Sequence, residues 1–554
     1  MSWEIKKYLK QQLAGEKGYY IYPAGTRTRF ALAYPNSYFV GMSNLGMHII
    51  YRLLNERNDT ACERFFLPEK KMQENYEKTH TPLLSIETQT GLMDFDIIGF
   101  AVSFEMDYFN ILRLLEMGKV KLLAKERTER DPLVIAGGPC ATFNPEPLAD
   151  FFDAFIIGEG EAVMPAFMDV YKESREAGES RQELLEKLSR VPGVYVPDVS
   201  NKASRQWLKN LDEFPGETVI ETEDTEFRLH LVEVARGCGR HCRFCMAGYC
   251  FRKPRNRSLE AIEKMIVKAK ERGRRVGLMG AAVSDYPEID TLCRNILGNG
   301  LSMSVASFRA DSVTLELMHS LAASGLKTIT MAPEAGSTRM RQIINKGIED
   351  EHLFNAMDLA IKAGIRNFRL YIMIGLPYEE GDDIKAIVDM ANRLKDFMEE
   401  KGAMGRLTLS INPFIPKPFT PFQWLEMAPL KYIQKSLKDI TSALKKRHNI
   451  EVIAESPKEA YVQGVLARGD RDLGKVLLNA HENGGAKAFK QAMKMNKLSM
   501  EDYLRQRDLT EELPWDMIDM GFTKDYLMKE LDNAQKLKHT LKCFENCKRC
   551  GVCK

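Results

Sequence analysis

No apolar run in this 554-residue sequence reaches the roughly 20 residues that a membrane-spanning helix needs, so a helical membrane protein is not expected. Low-complexity tracts and fixed-period repeats are also missing, which sets aside disordered arrays and solenoids. Neither sign of charge dominates: 79 Lys and Arg stand against 77 Asp and Glu, for a net charge of +2. No global field therefore points to nucleic acid or to an anionic membrane. The opening segment MSWEIKKYLKQQLAGEKG reads as a polar helix without the apolar core of a secretory signal, and the expectation is a cytoplasmic protein. A reducing cytoplasm argues against a disulfide framework, so the 11 cysteines direct attention to metal binding or catalysis. Seven of them fall in two tight clusters, at 238–245 and 543–553.

At this length a single core does not suffice, and three or four domains are expected. Short apolar runs alternate with helical patterns: RFALAY (29–34), FDIIGFAVS (95–103), PLVIAGG (132–138) and DAFIIGEGE (153–161), with helices at about 38–54 and 110–117. Such alternation predicts a doubly wound, Rossmann-like parallel sheet covered on both faces. Ligands of these sheets bind beyond the carboxyl ends of the strands, which here carry Gly137, Gly138, Gly158 and Gly160. A polar, linker-like stretch over 192–226 contains the pair Pro215-Gly216 and marks a boundary. A second series opens with LHLVEVARG and continues through 274–280, 301–309, 326–333, 365–377 and 405–414. Six strand-and-helix units predict a partial (β/α)6 barrel, with its site at the carboxyl ends of the strands. From about residue 431 the pattern is helical. The expected α/β organisation is thus a Rossmann-like domain at 1–215, a barrel at 216–430, a helical region at 431–540 and a cysteine-rich tail at 541–554.

Cys238, Cys242 and Cys245 follow the first strand of the second series, with three and then two residues between them. Three thiolates so spaced can hold three irons of a four-iron, four-sulfur cluster and leave the fourth iron without a protein ligand. Zinc held with the neighbouring His241, or unliganded buried thiols, are the structural alternatives. Structural zinc, however, normally draws its ligands from two separated knuckles rather than one loop. With Phe244 between the last two cysteines, the pattern resembles the CxxxCx(aromatic)C signature of the radical S-adenosylmethionine (radical SAM) superfamily.

That resemblance implies an enzyme that reductively cleaves S-adenosylmethionine (SAM) to a 5′-deoxyadenosyl radical, which takes hydrogen from an unreactive C–H bond of an unknown substrate. It also implies a one-electron reductant such as flavodoxin or ferredoxin. Residues carry over one at a time. Phe244 would pack near the adenine; Gly280 and Ser284 follow the second barrel strand, where the family binds the methionine amino group, although the usual GGE is replaced by GAA. Glu334 and Ser337 would lie at the ribose, Arg339 or Arg341 at the methionine carboxylate, and Gly375 and Pro377 beside the adenine. A solvated helix face is the structural alternative for either arginine.

The words GGPCATFNPEPLADFFDAFIIGEGE are similar to the end of the cobalamin-binding domain that precedes many radical SAM barrels. The first strand is followed by PNSYFVGMSNLG, without the Asp-x-His-x-x-Gly that supplies an axial histidine, so a bound cobalamin and a cobalamin-type scaffold both stand open. If cobalamin binds, methyl transfer is the implied outcome. INPFIPKPFTPFQW after the sixth strand, and later LARGDRDLGKVL and ELPWDMIDMG, are similar to words of a poorly characterised family in this group.

Cys543, Cys547, Cys550 and Cys553 repeat the first spacing but add a fourth thiolate that would close the coordination shell. The tail therefore suits electron transfer or structure, as a second iron–sulfur cluster or a zinc site. Cys62, Cys140, Cys250 and Cys293 read as small buried hydrophobes, with Cys140 on a ligand-side turn. A non-catalytic iron–sulfur electron carrier or RNA-binding protein is the alternative function, although no strong nucleic-acid signal is present.

Overall fold

A computed structural model describes residues 3–23, 25–200, 202–544 and 546–553. Its amino-terminal part is a six-stranded sheet in the order Thr60–Phe66, Thr28–Tyr34, Ile97–Ala101, Leu133–Gly137, Ala154–Ile156, Val194–Tyr195. All pairings are parallel except the last. Chain order reverses between the first and third strands, which opens a crevice at their carboxyl ends. Phe30, Ile97, Ile98, Val134 and Ile135 are buried, as expected of strands covered on both faces by helices such as Leu45–Asn55, Tyr108–Met117 and Gly160–Glu176.

The strand Thr60–Phe66 was not legible because its sequence, TACERFF, carries charge in its centre. Both charged residues are buried in ion pairs: Arg64 with Glu16 and Glu87, each at 2.6 Å, and Glu63 with Arg29 at 3.2 Å. The expected helix over 38–54 is two, Tyr38–Gly41 and Leu45–Asn55, because Asn44 takes extended backbone and caps the second through its side-chain oxygen.

The polar stretch over 192–226 is a packed seam rather than a free linker. Glu217 is fully buried and holds Arg52 at 3.1 Å and Lys268 at 2.5 Å, while its backbone bridges Val232 of the next strand. Linker-like composition here reflects buried charge pairs.

The second parallel system contains Leu229–Glu233, Arg275–Met279 and Met303–Val305 in one sheet, and Thr328–Glu334, Asn367–Ile374, Leu407–Pro413 and Ile450–Ala454 in another. A parallel bridge between Phe308 and Met331 joins the two into an arc of seven strands. Among the described residues no pairing closes this arc into a complete barrel. The seventh strand lies within the segment from 431 that the sequence reads as mainly helical. Ile450–Ala454 follows the helix Leu430–Leu444 and pairs parallel to Leu407–Pro413. It forms a half-exposed sheet edge, with Ile453 at 44% exposure, so its apolar signal is weak.

Beyond it the chain is helical, including Pro457–Arg468, Leu473–Glu482 and Lys524–Gln535, and it folds back over both sheets. Asn144 donates to the carbonyls of Ala467 at 3.1 Å and Gly469 at 2.8 Å, and Lys417 and Gln463 both bind the buried Glu105. Ile518–Asp519 pairs with Ala203–Ser204 of the seam. No described helix is long and apolar enough to cross a membrane.

Candidate active site at the facing sheet edges

The strand Leu229–Glu233 delivers the chain into a loop whose first residue, Gly237, has φ 82°. A Cβ there would meet the Phe251 carbonyl oxygen at 2.1 Å, so both backbone conformation and space require glycine. The loop then presents Cys238, Cys242 and Cys245 as free thiols, with Cys242 buried and the other two half-buried. The Arg240 amide donates to Cys238 Sγ at 3.4 Å. Burial pushes the thiols of Cys238 and Cys245 up, the latter to about 12, and the neighbouring loop thiols add to both shifts. Three thiols presented on one loop are a ligand set that iron could take up as thiolates.

Arg309, just past the Phe308 bridge, and Lys346, in the loop after the helix Thr338–Ile343, bring cations toward Cys242. Arg309 is buried and donates to the Lys346 carbonyl at 2.7 Å and to Asp311 at 3.0 Å. Lys346 is buried too, with its amine 3.0 Å from Glu334 and 5.9 Å from the Phe244 ring centre. Burial opposes the charge of both, yet Cys242 together with Asp311 favours that of Arg309, and Glu334 with Cys242 that of Lys346. Arg240 closes the group through Asp285 and Asp311, each at 2.9 Å.

Glu334, at the end of its strand with φ 68°, therefore faces the cysteine loop. Ser284 lies in the same region, 2.8 Å from Ser312 and accepting from the Arg309 amide. Gly280 ends the second strand and lines the cavity described below. Ser337 is committed elsewhere: it caps the helix Thr338–Ile343 and donates to Asp383 at 2.6 Å. Arg339 binds Asp383 and the Tyr378 carbonyl on the outer side, and buried Arg341 is taken by Asp350. Neither guanidinium is free for a substrate carboxylate. Gly375, at φ 74°, gives its amide to Glu379 at 2.8 Å, with half-buried Pro377 two residues on.

A cavity of about 500 Å³ separates the two sheets at their carboxyl ends. Gly137, Gly138, Gly158 and Gly160 form one wall; Ala235, Arg236, Met279 and Gly280 form the other. Its floor is an ion lattice in which Arg236 binds Glu159 at 3.0 Å and Glu161 and Glu233 at 2.8 Å. Arg255 adds to Glu159, and Arg257 to Glu233, each at 2.6 Å. No histidine is among the lining residues. The nearby His48 is buried, with Nε2 on the Met42 carbonyl at 3.0 Å and Nδ1 accepting from the Val219 amide at 3.3 Å.

Cys140, placed by its turn on the ligand side, is buried and packs beside Tyr108 and Glu105 rather than opening to solvent. Cys62, Cys250 and Cys293 are buried as well.

Two family descriptions match the chain: "Radical SAM proteins, N-terminal" over residues 46–197 and "Radical SAM superfamily" over 232–391. An uncharacterized protein of Methanocaldococcus jannaschii is 32% identical over 462 residues, or 81% of this chain and 90% of that relative. The chain belongs to the radical SAM superfamily. An uncharacterized methyltransferase of Pyrococcus horikoshii is 26% identical over 318 residues, covering 54% of this chain and 65% of its own. Among solved structures, TsrM from Kitasatospora setae with cobalamin and an iron–sulfur cluster bound aligns with a TM-score of 0.51 at 12% identity, over 85% of this chain and 99% of that one. OxsB with aqua-cobalamin bound aligns with a TM-score of 0.50 at 15% identity, over 92% and 79%. At these identities the likeness to the solved structures is one of fold.

A radical SAM enzyme uses a four-iron, four-sulfur cluster and SAM, and needs an electron donor and a substrate. In this radical SAM enzyme, sequence reasoning missed Arg309 and Lys346, the two buried cations beside Cys242. Arg309 carried a usable signal, since it stands at the carboxyl end of a predicted barrel strand. Lys346 carried none beyond its place in the stretch that follows Glu334.

Proposed function

We propose that this radical SAM enzyme is a cobalamin-dependent methyltransferase that acts on an unactivated carbon of its substrate. The observation that carries the reading is the cavity between the two sheets, which is lined by glycine turns on one side and lies beside the cysteine loop on the other. When bound, the cluster and SAM supply reductive cleavage, and a corrin supplies a methyl carrier. Cys238, Cys242 and Cys245 would hold three irons. Arg309 and Lys346 would offer positive charge to the SAM carboxylate, Phe244 and Glu334 would orient the nucleoside, and the apolar cavity wall would exclude water.

His48 would not serve a corrin, because both its ring nitrogens are engaged by backbone. The domains are taken as 1–215 for the corrin and from 216 for the SAM barrel, whose sheet extends to Ala454. We place the enzyme in the cytoplasm, supplied with electrons by a flavodoxin or ferredoxin.

The test is purification with cobalamin supplied, desalting and an absorption spectrum, followed by product analysis with SAM under reduction. Retained corrin, with S-adenosylhomocysteine and 5′-deoxyadenosine both formed, is the expected result. Absence of corrin after desalting refutes the methyltransferase reading. Gly137→Leu sharpens the test, since a Cβ there meets only Ile156 at 3.6 Å: the variant should keep its iron and lose the corrin.

A further inference from the structure

The four-cysteine tail is seated against the back of the first cysteine loop. The Cys543 amide donates to the Gly239 carbonyl at 2.7 Å, and Cys543 Sγ lies 3.3 Å from His241 Nε2. Gly239 is the residue after Cys238, and His241 the residue before Cys242. Each contact thus ends one covalent step from a cysteine of the first loop. Asn345 fixes the arrangement from the other side, donating to the His241 carbonyl at 3.1 Å and the Thr540 carbonyl at 3.0 Å.

Charge supplies a second observation. Arg252 is buried, and none of its partners among the described residues is a carboxylate. Its donors go to the carbonyls of Gly248 at 3.0 Å and Arg240 at 3.2 Å, to the Tyr526 hydroxyl at 3.2 Å and to His241 Nδ1 at 3.3 Å. A guanidinium cannot shed its proton, so a buried one needs an anion close by. Burial opposes its charge, and the groups favouring it are Tyr526, Tyr249, Cys550 and Cys543. Arg549 adds a second guanidinium, with Nε 3.5 Å from Cys547 Sγ.

We infer that Cys543, Cys547, Cys550 and Cys553 hold a second four-iron, four-sulfur cluster that passes electrons to the first through the contacts at His241 and Gly239. Cys543 and Cys553 are half-buried and Phe544 is exposed, so the tail meets solvent where a donor protein can dock. One electron enters from a low-potential one-electron carrier of the flavodoxin or ferredoxin class, and the same electron leaves to the first cluster. No atom or proton is transferred. The inference rests on the reading that the first loop carries the SAM-cleaving cluster.

The experiment uses the full chain, reconstituted anaerobically, beside the variant C543A/C547A/C550A and the single variant His241→Asn. Parent protein should hold about eight irons and eight sulfides, and the triple variant about four, still showing the reduced-cluster resonance that SAM shifts. With reduced flavodoxin as donor, the rate at which the first cluster is reduced should fall about tenfold or more in both variants, while His241→Asn keeps its full iron. Four irons plus one zinc in the parent overturns the inference, as does an unchanged flavodoxin-driven rate in either variant. If the triple variant does not fold, His241→Asn decides alone. Failure of the parent to form 5′-deoxyadenosine with dithionite would instead count against the proposed function, and the metal counts and reduction rates would still decide the relay.

Discussion

Replacing Arg236 by Met removes a cation that joins the amino-terminal domain to the first barrel strand. In the parent, three guanidiniums (Arg236, Arg255, Arg257) face three carboxylates (Glu159, Glu161, Glu233), and Glu161 has no partner among the described residues other than Arg236. The substitution leaves Glu161, at 5% exposure, as a buried carboxylate without a counter-ion. Breaking a buried pair from one side costs about 3–5 kcal/mol, far more than the small net worth of the intact pair against an apolar replacement. Local opening should therefore become about a hundredfold to several thousandfold more frequent. Hydrogen exchange of peptides covering the strand Leu229–Glu233 and the segment through Gly237 reads this directly.

The sign of the pH effect follows from the same charges. In the parent, burial raises the Glu159 and Glu233 carboxyls, but the arginines outweigh it and hold both below the usual carboxylate range. Their stabilising contribution is complete above that range and is lost only as pH falls through the lowered values. The contribution of Glu159 and Glu233 should be flat between pH 8 and pH 5. A buried carboxylate stripped of its cation favours the neutral form, so the deficit of Arg236→Met should shrink over the same interval. Adding Glu161→Gln should recover about half of the loss. Unchanged exchange in Arg236→Met, or no recovery in the double variant, would refute the assignment of Glu161 to Arg236.

Lys346→Met should leave the iron content of the first loop intact but weaken SAM binding by about tenfold to a hundredfold, the worth of a charged hydrogen bond; a SAM titration of the reduced-cluster resonance checks it. Arg339→Ala should leave SAM binding within about twofold, because that side chain, 35% exposed, sits in an outer pair with Asp383; a marked loss of affinity would return it to the site. Burial raises Glu379 to about 7 against the hydrogen bonds from Gly375 and Tyr432. Because its folded value lies above the unfolded one, its stabilising contribution is full below the usual carboxylate range and is lost as pH rises through about 7. Glu379→Gln should accordingly gain about 1–2 kcal/mol over the parent at pH 8.5 and nothing at pH 5, seen as a difference in Tm.

The first cysteine motif and the strand-and-helix rhythm around it were legible in the sequence because they are local. A ligand loop needs its thiolates within a few residues, and a buried parallel strand must be apolar along its whole length. Elements that broke the local rule were hidden for the same reason. Thr60–Phe66 buries a Glu and an Arg that find their counter-ions elsewhere in the chain, and Ile450–Ala454 is a half-exposed edge.

The sequence by itself thus determined the radical SAM signature, the order of two parallel systems and the ligand side of each. Only the tertiary structure decided which cations are buried near the cysteine loop. Arginine suits an outer helix face or a buried pair equally well, and no local pattern shows that Arg309 reaches the Lys346 carbonyl or that Arg341 is taken by Asp350. The contact of Cys543 with His241 spans 302 residues, and local pattern carries no information over that distance. Once the chain folds back, that contact brings together two groups of cysteines that the sequence presents as separate.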